Sequence, residues 1–91
     1  MHDLIVKVTV NKGLHLEPNE FCQKWLEHPK PGEWGYRKAC VTLLAEATGL
    51  SERTIENWGK DFDRRPDYII TILNKDDALR EIQKILDNKT K

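Results

Sequence analysis

The chain has 91 residues, enough for one domain with a modest helical core and too few for a binding domain joined to a separate catalytic one. Fifteen basic and fifteen acidic side chains cancel, which counts against strong non-specific binding to nucleic acid, because that rests on phosphate neutralisation. Cys22 and Cys40 lie far apart with no CxxC spacing and no histidine pair nearby, a pattern that argues against a metal site and for two small buried thiols in a reducing cytoplasm.

No secretory signal and no apolar run of membrane-spanning length is found, so a soluble intracellular protein is expected. There is also no serine, histidine and acid set, no glycine-rich phosphate loop, and no kinase or metalloprotease signature. His2, His15 and His28 fall on predicted ends and loops, where a general base lacks a positioned partner. The reading is a binding protein rather than an enzyme, with no cofactor.

In chain order, residues 4–10, LIVKVTV, are the most ambiguous. Leu4, Val6, Val8 and Val10 alternate as a strand does, whereas Asp3 can cap a helix and Asn11, Lys12, Gly13 and Leu14 resemble a helix end. A short helix is favoured, since a lone strand in a helical chain needs a partner. Glu17 and Pro18 open the next helix, because proline suits a first turn, and Asn19 and Glu20 add capping groups and favourable charge. Phe21, Trp25 and Leu26 form its apolar stripe. The run from His28 to Gly32, with two prolines and a glycine, must end that helix.

Trp34 and Tyr36 precede a helix expected over residues 37–48. Aromatics beside basic residues can stack on bases or sugars, but before a helix they more often clamp its start, and Trp34 is expected in the core. Within residues 41–60, VTLLAEATGLSERTIENWGK, the spacing is that of a helix-turn-helix. Ala45 lets two backbones approach, and Gly49 ends the first helix in a left-handed conformation. Leu44, Leu50, Ile55 and Trp58 fix the angle between the helices, and Ser51 caps the second. On that second helix, expected over residues 52–62, Ile55, Trp58 and Phe62 point inwards and leave Arg53, Glu56, Asn57, Lys60 and Arg64 outside.

At these residues the chain resembles the tri-helical helix-turn-helix DNA-binding families, such as phage-repressor-like regulators and the DNA-binding ends of transposases and phage terminases. The resemblance covers about the middle third of the chain and implies that the second helix enters the major groove of double-stranded DNA, where its first residues read base edges. Arg53 and Asn57 are then the natural base readers, each bidentate pair worth ~1–3 kcal/mol of discrimination. Glu52 and Glu56 can accept from cytosine amino groups or restrict register. Arg37, Lys38, Ser51, Thr54, Lys60, Arg64 and Arg65 are the candidates for phosphate contact. Between Trp34 and Arg65 six basic residues meet five acidic ones, so such a site must work by placement of charge and by dimeric contact area.

After Arg64, Arg65, Pro66 and Asp67 break the chain, two further helices are expected within residues 66–87. Ile69, Ile70, Ile72 and Leu73 mark the first, and Asn74 caps a second carrying Leu79, Ile82, Ile85 and Leu86. These complete the core or form the face of a homodimer. The fold expected is therefore all-α: a single domain over residues 1–91, with a helix-turn-helix core, an N-terminal segment and two extra C-terminal helices. The function expected is sequence-specific double-stranded DNA binding by a small transcriptional regulator. The alternatives are the DNA-recognition part of a phage or mobile element, and a protein-interaction adaptor that keeps the hairpin without DNA affinity.

Overall fold

Phe21, Leu44, Ile55, Ile69 and Leu73, one or two from each helix, meet at the centre of the molecule with no exposed surface. The computed structural model describes residues 15–90, with side chains to residue 88. Four helices carry that core: α1 (Pro18–Trp25), α2 (Tyr36–Thr48), α3 (Glu52–Glu56) and α4 (Tyr68–Thr90). The all-α expectation holds for the described residues, while the reading of residues 4–10 lies outside them. None of the described helices is long and apolar enough to cross a membrane.

Helix α1 starts as its sequence dictates. Pro18 takes the first turn, and the backbone amide of Glu17 donates to Glu20 Oε1 over 2.9 Å. Phe21 and Cys22 are buried beneath α2, with Trp25 half-buried at the end of the helix. Helix α2 is bounded by two left-handed glycines, Gly35 at φ 85° and Gly49 at φ 79°. At the second, the Gly49 amide closes the helix on the Ala45 carbonyl at 2.8 Å.

Trp34 departs from expectation. Its side chain is 96% exposed, and the aromatic that packs at the start of α2 is Tyr36. Gly35 between them is left-handed, so the chain turns there and carries the two rings in different directions.

The second correction concerns α3, which ends at Glu56 instead of running to Phe62. The Asn57 amide is shared between the Arg53 and Thr54 carbonyls at 3.1 and 3.2 Å, and Trp58 bonds Ile55 at 3.0 Å, so the helix tightens as it closes. Gly59 at φ 96° then reverses the chain, and Phe62 itself sits at φ 58°. Trp58 and Phe62 still reach the core, but from a turn-rich segment.

The C-terminal region is one helix where two were expected. The polar residues read as a cap are held sideways. Asn74 Oδ1 accepts from the Leu16 amide at 3.2 Å, and Asp76 binds Arg80 Nε one turn on at 2.6 Å. Asp77 is buried and accepts from Trp25 Nε1 at 3.0 Å and Lys24 Nζ at 2.7 Å, while Lys24 also reaches Glu81 at 2.8 Å. Asn74 and Asp77 thus take partners from the N-terminal half of the chain and Asp76 takes one within α4, so these side chains do not end the helix. Beyond the core, Leu79, Ile82, Ile85 and Leu86 lie more than half exposed along the last turns.

Candidate nucleic-acid interface

Helices α2 and α3 with the turn between them form the hairpin anticipated from residues 41–60. Ser51 Oγ accepts from the Thr54 amide at 3.1 Å and lies 3.0 Å from Thr54 Oγ1, so both hydroxyls are engaged in capping. Leu44, Ile55 and Trp58 are buried in the crossing, with Ala45 and Leu50 packed at its edge.

On the outer side Glu52, Arg53, Glu56, Asn57, Lys60 and Arg64 are all exposed. Although α3 is short, Asn57 keeps helical torsions (φ −70°, ψ −10°), so Arg53 and Asn57 remain one turn apart on one face. Glu52 is turned back to α2, where its Oε2 accepts from Thr42 Oγ1 at 3.1 Å. Arg64 lies over Gly59, and its Nη2 reaches the Asn57 carbonyl at 3.4 Å.

The other two arginines read as phosphate ligands also have internal partners. Arg65 is only 14% exposed and grips Glu17 with Nε at 3.1 Å and Nη2 at 2.8 Å, so it braces the start of α1 against the loop before α4. Its charge is spent inside the fold. The same bond holds the Glu17 carboxyl below its ordinary range, burial opposing and a bond from His15 adding. Arg37 is exposed, but its Nη1 donates to the Lys60 carbonyl at 2.8 Å and its guanidinium stacks 4.3 Å from the centre of the Phe62 ring. It keeps its charge at the surface in a fixed position. Lys38, one residue on, is exposed as well.

Beside this hairpin, Pro29, Trp34, Tyr36, Arg37, Lys38 and Glu56 line a shallow groove open to solvent. Sequence reasoning placed Trp34 in the core. The signal against that was the glycine on each side, Gly32 and Gly35, which leave the indole little neighbouring chain to pack on. Among the described residues no group of three or more histidine, cysteine or carboxylate side chains is arranged to hold a metal ion. The two thiols are both buried and free, with Cys22 Sγ 3.8 Å from the Cys40 carbonyl. Hydrogen bonding with the Cys40 thiol, with burial adding to it, pushes the Cys22 thiol well above its ordinary range.

Comparison with protein-family models, curated proteins and solved structures returns no match. The functional reading therefore stands on the hairpin itself.

Proposed function

We propose that the protein binds double-stranded DNA sequence-specifically, as a small transcriptional regulator that lays α3 and the turn after it in the major groove. The observation that carries this reading is the joint outward presentation of Arg53 and Asn57 on a capped, glycine-terminated hairpin whose inward residues are fully packed. Arg53 reads guanine and Asn57 reads adenine, in line with the hydrogen-bonding geometry of those side chains. Lys38, Lys60 and Arg64, with the fixed charge of Arg37, supply the phosphate contacts. A chain of zero net charge binds in this way only through placed cations, so the salt response is modest. Three or four neutralised phosphates give a slope of log K against log salt of about −3 per subunit.

Exposed Leu79, Ile82, Ile85 and Leu86 support a second copy at the end of α4, which would double the contact area on paired half-sites. Two free buried thiols support a reducing, cytoplasmic setting.

The balanced charge and the inward turn of Arg65 favour a second reading, a protein-interaction adaptor. The two are separated by fluorescence anisotropy on mixed-sequence duplex from low to physiological salt, beside an Arg53→Ala, Asn57→Ala variant. Salt-dependent binding that loses sequence preference in the variant supports DNA recognition. Absence of binding at low salt by a folded protein leaves the adaptor.

A further inference from the structure

A single apolar side chain in water is ordinary on a protein surface, so an exposed indole is informative only through what lies beside it. Trp34 is 96% exposed, whereas Trp58 is buried and Trp25 half-buried. Its backbone is held in place. The amide of Lys30 donates to Glu33 Oε1 at 2.7 Å, Glu33 bonds back to the Lys30 carbonyl at 2.9 Å, and Tyr36 bonds the Glu33 carbonyl at 3.1 Å. Trp34 thus sits on a run of closed turns that fixes its backbone, though not its ring, in advance of any partner.

The surroundings restrict what that partner is. Arg37, whose guanidinium is fixed on Phe62 and the Lys60 carbonyl, and exposed Lys38 line the same groove as Trp34. Glu56 of α3 lines it too, so the groove runs up to the helix that carries Arg53 and is capped by Asn57. A flat aromatic face beside a fixed arginine and an exposed lysine matches a nucleotide with its base laid on the ring and its phosphate beside the basic groups. Within an intact duplex base faces are covered by their neighbours. A free face is offered only by an unpaired nucleotide.

We propose that Trp34 is a stacking platform for an unpaired nucleobase at the edge of the bound duplex, with Arg37 and Lys38 on the phosphate of the same nucleotide. The protein then recognises a junction between double and single strand. This rests on the DNA reading above and adds a second, separable contact to it.

The test uses the full chain and a Trp34→Ala variant against three probes: a blunt duplex, the same duplex with a three-nucleotide single-stranded extension, and that single strand alone. Binding is followed by anisotropy and by quenching of tryptophan fluorescence. The extension is expected to tighten wild-type binding roughly tenfold and to quench its fluorescence, with both effects reduced to less than about twofold in the variant, the scale of one lost base stack. If the blunt duplex binds and the extension changes neither signal, or if the variant keeps the full gain, stacking on Trp34 is wrong while the groove reading survives. If no duplex binds but the single strand quenches the wild type and not the variant, the groove reading and the junction both fail, and Trp34 is a platform for single strand alone. Silence from all three probes overturns both.

Discussion

The amide of Asn57 donates to the carbonyl of Arg53 across 3.1 Å, the last bond of helical span in a segment that is already turning. It keeps the two side chains in register one turn apart even though α3 has only five residues. Replacing Arg53 with Ala should therefore cost ~1–3 kcal/mol on the preferred duplex and relax selectivity at a single base pair. Lys60→Ala should weaken all sequences alike and lower the salt slope by about one. Competition binding with singly substituted duplexes distinguishes the two patterns, and a uniform loss for Arg53→Ala would remove it from the base readers.

Gly49 tests the turn of the hairpin. Its φ of 79° lies in the left-handed region, yet a Cβ there would meet nothing within 4 Å. The cost of Gly49→Ala is thus backbone strain alone, about 1–2 kcal/mol. Urea unfolding should show a lower midpoint with the slope preserved.

Glu17 gives the fold a dependence on acid. Bonding by Arg65 lowers its folded-state pKa below the ordinary 4.5, so the stabilisation is present above that value and is lost as pH falls through the folded pKa. The carboxylate is more than a third exposed, which limits the contribution to at most about 1 kcal/mol. As pH falls from about 5 through the folded pKa, a Glu17→Gln variant should lose less stability than the wild type. Equal slopes in thermal melts over that range would exclude the pair as a source of acid sensitivity.

Asp77 joins α4 to α1. Asp77→Ala removes the acceptor of the Trp25 indole and one of two carboxylates on Lys24, leaving Glu81 as the other. Destabilisation of about 1–3 kcal/mol is expected, together with a shift in the emission of Trp25. A change within 0.5 kcal/mol would mean that water replaces the carboxylate without cost.

Cys22 and Cys40 should be silent in the native state. Hydrogen bonding between them raises the Cys22 thiol and lowers the Cys40 thiol to about 7, so burial is what protects Cys40, and Ellman's reagent should find no reactive thiol until denaturant exposes both.

The parts of the fold visible in the sequence are those fixed by local chemistry. Pro18 opening α1, Gly49 closing α2 and Ser51 capping α3 each act through a bond or torsion within one turn of themselves. What was misread depends on distant partners. Asn74 resembles a cap until Leu16 supplies the amide that its side chain accepts, 58 positions away. Asp77, three residues after that asparagine, is likewise held by the distant Trp25 and Lys24. Arg65, with Arg64 beside it, suggests a phosphate ligand, and only its contact with Glu17, 48 positions earlier, shows otherwise. The apolar period of Ile55, Trp58 and Phe62 correctly marked three core residues, but the same inward set is reached by a helix or by a helix followed by left-handed turns. Gly59 decided for the latter.

The bonds from Leu16 to Asn74, from Trp25 to Asp77 and from Glu17 to Arg65 all tie the first described helix and its approach to the end of the chain. They form a clasp, and the α2–α3 hairpin lies inside the loop it closes. Loop-closure entropy rises only slowly with length, so one clasp of this kind holds many intervening residues at little extra cost. The hairpin is consequently not portable. Excised or grafted without residues 15–25 and 65–77 it would lose the walls of its own core, and any transfer of its specificity to another scaffold has to carry both ends of the chain along.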